Sequence, residues 1–99
     1  MQNHTKVYMN FFGYGEQDFI PCEMCGSRAV DIHHIEKRNK TKNDYIENLI
    51  ALCRDCYINA ESDKSFNSYC RIQHLELVCV QVYALIDLNR KLNNYENRN

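Results

Sequence analysis

Cys22, Cys25, Cys53 and Cys56 form two C-x2-C pairs separated by residues 26–52. A two-residue spacer lets one tight turn present two thiolates to a single ion, and zinc takes four such sulfurs at tetrahedral corners, with bonds of about 2.3 Å. Disulfides are the alternative use of paired cysteines. The first residues, MQNHTKVYMNFFGYG, lack the basic and long apolar regions of a secretory leader. No stretch approaches the roughly 18 apolar residues of a membrane span. In a reducing cytoplasm, paired thiols act as metal ligands. The expectation is one structural zinc ion per chain, a cytoplasmic setting and no membrane. The remaining Cys70 and Cys79, nine residues apart on a helical pattern, would fall on opposite faces and read as small buried hydrophobes.

Between the pairs lies DIHHI, residues 31–35, which holds two of the four histidines, His33 and His34. Adjacent imidazoles flanked by apolar residues suit either a strand with structural rings or a metal-dependent hydrolytic centre. The polar stretch EKRNKTKND follows at once and carries Lys37, Arg38, Lys40 and Lys42, cations suited to phosphate contact. Glu36 and Asp44 partly cancel that charge. Across the chain 12 basic residues meet 13 acidic ones, a net charge of −1, which excludes a global basic field and confines any polyanion contact to a local patch. His4 and His74 have no motif around them.

These groups need a small scaffold, and 99 residues suffice for one core. Val7, Tyr8, Phe11 and Phe12 recur at helical spacing ahead of Gly13, so residues 1–21 read as an N-terminal helix and an irregular lead-in ending at Pro21. Residues 22–61 read as a core clipped by the cysteines. Within it, AVDIHHI (29–35) and IENLIAL (46–52) are strand-like around a 36–44 loop, and a short helix follows the second cysteine pair. After a break at SDKS, residues 66–93 form a long apolar helix. Ile72, Leu75, Cys79, Val82 and Ile86 make one stripe of it, widened by Leu77, Val78, Val80, Tyr83, Leu85 and Leu88. So much apolar surface on so small a domain points to packing or association through residues 72–88, with a second copy or another protein.

The ordered set CEMCG, DIHHI and ENLIALCRDC resembles the zinc-knuckle branch of the HNH endonuclease family over about residues 7–61. Proteins of this kind are often carried by bacteriophages and mobile elements. The resemblance implies an α+β fold with a ββα-metal core, in which two antiparallel strands and a helix hold one divalent ion. It implies hydrolysis of DNA phosphodiesters. By position, His34 would be the general base, His33 a ligand of the catalytic Mg²⁺, Mn²⁺ or Ni²⁺, and Asn48 the residue that orients the base from beside it. A histidine, with an ordinary pKa near ~6.5, suits a base at neutral pH. The family's metal helix usually continues L-C-x-x-C-H, with a further ligand four residues on. Here Tyr57 and Glu61 occupy those places. Tyrosine is a poor ligand for a hard ion, whereas Glu61 is chemically sound and lies one helical turn away.

Two functions follow from the sequence. One is a metal-dependent HNH-type endonuclease. The other is a catalytically weakened HNH scaffold that serves as a zinc-stabilised module binding DNA or a protein. A plain zinc ribbon explains the cysteines but leaves DIHHI and Asn48 as coincidences.

Overall fold

The computed structural model describes residues 1–40 and 43–96. Its elements follow in the order α1 (Asn3–Phe12), β1 (Asp31–His34), a 3-10 turn (Ile46–Asn48), β2 (Leu49–Leu52), α2 (Arg54–Ser62) and α3 (Lys64–Glu96). The fold is α+β, with one two-stranded antiparallel sheet and three helices. Gly13 ends α1 in the left-handed conformation, φ 76°, which a residue without a Cβ adopts freely.

The β1–β2 register sets His33 opposite Ile50 and His34 opposite Leu49. Side chains alternate across a strand, so the sheet feeds two cores. On one face Ile50 and Leu52 pack with Cys22, Ile35, Ala60 and Cys70 beneath α2 and α3. On the other, Ile32, Leu49 and Ala51 pack against Tyr8 of α1. β2 is buried along its whole length. The first cysteine turn is sewn to it by Glu23 N–H donating to the Ala51 carbonyl at 3.0 Å.

The break between α2 and α3 is a single residue. Asp63 ends α2, and its carboxylate accepts from the Ser65 and Phe66 amides to cap α3. The last helix therefore starts two residues earlier than the sequence pattern suggested and runs for 33 residues, about 50 Å at ~1.5 Å per residue. It accounts for the 57 Å long dimension of a molecule only 29 × 26 Å across.

Its packed face differs from the apolar stripe in the sequence. Cys70, His74 and Val78 are buried, with Phe66 and Gln81 half-buried above and below them. Ile72 is 57% exposed, and Leu75, Val82, Ile86 and Cys79 also face solvent, so only Cys70 of the two unpaired cysteines is a buried hydrophobe. The inward face tolerates polar residues because each finds a partner. Gln81 donates to the Phe11 carbonyl at 3.1 Å. His74 is fully buried between Glu23, at 2.9 Å from Nδ1, and the Ile46 carbonyl, at 2.6 Å from Nε2. Tyr8 completes this cluster by donating its hydroxyl to Glu23 at 2.7 Å. Burial and the Glu23 carboxylate both push the Tyr8 hydroxyl pKa far upward, which keeps it a donor.

Candidate active site and metal-binding cysteines

The four cysteines converge from two turns. Cys22 and Cys25 sit on a loop closed by the Gly26 amide donating to the Cys22 carbonyl at 2.9 Å, with Gly26 at φ 81°. Cys53 caps the N-terminus of α2 and Cys56 lies in its first turn. All four sulfurs lie within 4.8 Å of one another, and Cys25 and Cys53 are 3.6 Å apart. Zinc–sulfur bonds of about 2.3 Å in a tetrahedron set sulfur–sulfur edges of about 3.8 Å, so the group is positioned to hold a metal ion such as zinc. Hydrogen bonds from Ser27, side chain first and then amide, hold the Cys25 thiol down at about 6, whereas burial pushes Cys56 up. A bound cation would keep all four as thiolates.

His33 and His34 leave β1 on opposite faces. His33 turns toward α2 and α3. Its Nε2 is 3.0 Å from Asn67 Oδ1, its Nδ1 is 3.5 Å from Glu61 Oε1, and Tyr57 meets its ring edge-on with centroids 5.4 Å apart. The Asn67 amide donates to the Ile35 carbonyl at 2.7 Å, which fixes Oδ1 toward the imidazole. Nε2 must then carry the proton, and the Nδ1 lone pair faces Glu61. Two donors bound to one ion at about 2.1 Å stand about 3.0–3.5 Å apart. The His33–Glu61 pair therefore fits a shared divalent ion, with further positions open.

His34 turns toward α1. Its Nε2 lies 2.7 Å from Asp44 Oδ1, and its ring packs on His4 with centroids 4.7 Å apart. The hydrogen bond from His34 is the largest influence holding the Asp44 carboxyl pKa low, so Asp44 stays an acceptor. Nε2 is then the protonated nitrogen of a neutral His34, and Nδ1 is the basic one. Burial, and secondarily the His34 ring, hold the His4 pKa below its ordinary value.

Asn48 is fully buried, and its side chain bonds to the backbone instead of standing against His34. Oδ1 accepts from the Glu36 amide at 2.7 Å, and Nδ2 donates to the Glu36 and Asn43 carbonyls at 3.0 and 3.1 Å. It clamps both ends of the loop that runs from His34 to Asp44. The 3-10 turn drives it beneath that loop, so any influence on His34 passes through the loop backbone.

An open cavity of about 360 Å³ wraps the free edge of β1, lined by His4, His33, His34, Tyr57, Glu61 and, at its rim, Lys37 and Arg38. Lys40 is exposed nearby, and Lys42 lies outside the described residues. Asp44, His4 and Asn67 escaped the sequence reading. Asp44 was visible there only as a charge in a loop, and nothing local marks the other two.

Residues 22–62 match the model of the HNH endonuclease family. No curated protein and no solved structure matches the chain significantly. Among the described residues, no helix is long and apolar enough to cross a membrane.

Proposed function

We propose that the HNH segment makes this chain an endonuclease that hydrolyses DNA phosphodiesters with a divalent ion, with His34 as general base and a structural zinc ion on the four cysteines. The observation that carries the reading is the cavity at the edge of β1. It brings a base candidate, a metal-ligand pair and two cations to one surface. A bound Mg²⁺, Mn²⁺ or Ni²⁺ held by His33 Nδ1 and Glu61 would neutralise charge on the phosphate and on the leaving 3′-oxygen.

The chain's own residues do the rest. Asp44 holds the Nε2 proton of His34 and so leaves Nδ1 to take the proton of the attacking water. Asn48 keeps the intervening loop, and with it the His34–Asp44 pair, in place. Lys37 and Arg38 hold the flanking phosphates by charge, with Lys40 and Lys42 further along the same loop. Asn67 fixes the tautomer of His33.

The test is nicking of supercoiled plasmid by folded, zinc-loaded protein with Mg²⁺, Mn²⁺ or Ni²⁺, beside His34→Ala. Cleavage that disappears in His34→Ala supports the reading, and cleavage equal to that of the variant removes it.

A second reading is favoured by α3. Val82, Tyr83, Leu85, Ile86, Leu88 and Leu92 are all exposed beyond the last residue that packs on the body. A weakened HNH scaffold bound to DNA or a protein, or paired with a second copy through residues 72–88, would cover that face. A mass measurement in solution on the wild type and Leu85→Glu distinguishes a pair of copies from a monomer.

A further inference from the structure

A second group of metal donors exists among the described residues, and no sequence motif announces it. We propose that His4, His34 and Asp44 form a transition-metal site that takes Zn²⁺, Ni²⁺ or Co²⁺ in preference to Mg²⁺.

Three elements converge there: α1 brings His4, β1 brings His34 and the segment before the 3-10 turn brings Asp44. One donor atom from each lies within 4.8 Å of the others. The site is already oriented. Asp44 Oδ2 is held by the Asn3 amide at 3.3 Å and by the Arg38 guanidinium at 3.7 Å, while Oδ1 is turned to His34. The Asp44 side chain is 7% exposed and His34 14%.

His4 supplies an uncommitted donor that lines the open cavity. It is buried on the first turn of α1, yet among the described residues no hydrogen bond ties down its ring, which is packed on His34 instead. An ion shared with His34 and Asp44 would engage it. Two imidazoles and one carboxylate with an open side suit late first-row metals, whereas Mg²⁺ favours oxygen donors and keeps its waters. Arg38 opposes a cation, but it touches only Oδ2 and its side chain is half exposed, so it can swing away.

The His33–Glu61 pair lies across β1, so the two sites use different residues. The consequence for His34 rests on its reading as the base. With the ion on Nε2, the proton moves to Nδ1 and the ring stays neutral. With the ion on Nδ1, the lone pair is occupied directly. Either way the nitrogen assigned to water is withdrawn, and the metal competes with catalysis.

The deciding experiment is a Co²⁺ titration of protein whose cysteines are loaded with zinc, followed by visible absorption and calorimetry. One further equivalent with nitrogen- and oxygen-type bands is expected at this site, beside any taken up by His33 and Glu61. It should weaken about 10-fold or more in His4→Gln and in Asp44→Asn, and persist in Glu61→Gln. Retained zinc and an unchanged circular dichroism spectrum establish that each variant is folded. No further equivalent in the wild type overturns the site. So does an equivalent that survives His4→Gln and Asp44→Asn when Glu61→Gln has also removed the carboxylate of the other pair. Failure of plasmid nicking removes the nuclease reading without altering the Co²⁺ result, so the two failures are distinguishable.

Discussion

Asn67 of α3 reaches across 34 positions to His33, with Oδ1 3.0 Å from Nε2, while its amide is anchored on the Ile35 carbonyl. The anchor removes the freedom to flip, so this contact dictates where the imidazole keeps its proton and where its lone pair points. Groups that orient a metal-binding histidine typically contribute about 10–100-fold in affinity. Asn67→Ala is therefore expected to weaken Mn²⁺ binding at His33 and Glu61 by about 10-fold, measured by calorimetry. A zinc content unchanged at the cysteines separates this from unfolding. Unaltered Mn²⁺ affinity would show that the tautomer is fixed by something else.

The cysteines join the turn after Pro21 to the N-terminus of α2, and Cys22, Cys53 and Cys56 also contribute to the core beneath the sheet. Structural zinc supplies roughly 10–16 kcal/mol in small metal-folded domains, more than the ~5–15 kcal/mol margin of a typical fold. A strong chelator is expected to abolish the cooperative thermal transition, with readdition of one equivalent of zinc restoring it. Cys53→Ser, whose hydroxyl can still cap α2, should behave as the chelated protein does even in excess zinc. A cooperative, metal-free melt would mean that the thiols merely pack.

The cysteine group was legible in the sequence because ligand geometry permits few spacings. The order of DIHHI and Asn48 between the knuckles drew attention to them, but the bonding of Asn48 to the Glu36 and Asn43 backbone instead of beside His34 was not legible. The packed face of α3 was not. Its apolar residues surround the helix, so periodicity could not say which stripe meets the body. The winning face carries His74 and Gln81, whose partners Glu23 and the Phe11 carbonyl lie 51 and 70 positions away. Asp44, His4 and Asn67 owe their places to similarly remote contacts, which no local pattern records.

His74 and Glu23 form a buried pair whose side chains are 0% and 4% exposed. Removing one partner of such a pair costs about 3–5 kcal/mol, because the other is left charged and dry. His74→Leu is expected to lower stability by that amount in denaturant melts, and it strands the Ile46 carbonyl as well. Since Ile46 begins the turn that seats Asn48, loop protection from hydrogen exchange should fall too. A loss below about 1 kcal/mol would place the value of the pair in specificity instead of stability.

Burial first, and His34 second, hold the His4 pKa below 6.5 in the folded chain. The unfolded chain then binds this proton more readily, so the contribution is complete above about pH 6.5 and declines as the pH falls through the lowered folded value. Without added metal, the melting temperature should drop between about pH 7.5 and pH 5.5, and drop less in His4→Gln. Thiolate protonation acts on both proteins, so the difference between them isolates His4. Identical slopes would contradict the assignment.

Tyr57 stands in the first turns of α2, one helical turn before Glu61, with its ring edge-on to His33 and the Arg54 guanidinium 5.9 Å from its centroid. It therefore occupies the place from which an imidazole could complete the His33–Glu61 pair. A phenol is a weak ligand for a hard ion unless the metal drives off its proton, whereas a neutral imidazole needs no such step. Tyr57→His should tighten Mn²⁺ or Ni²⁺ binding by about 10-fold, a gain of ~1.4 kcal/mol, and raise plasmid nicking in step. Tighter binding without faster nicking would assign the limitation to the base. If neither changes, α2 does not supply the metal, and the ion that matters is held elsewhere on the edge of β1.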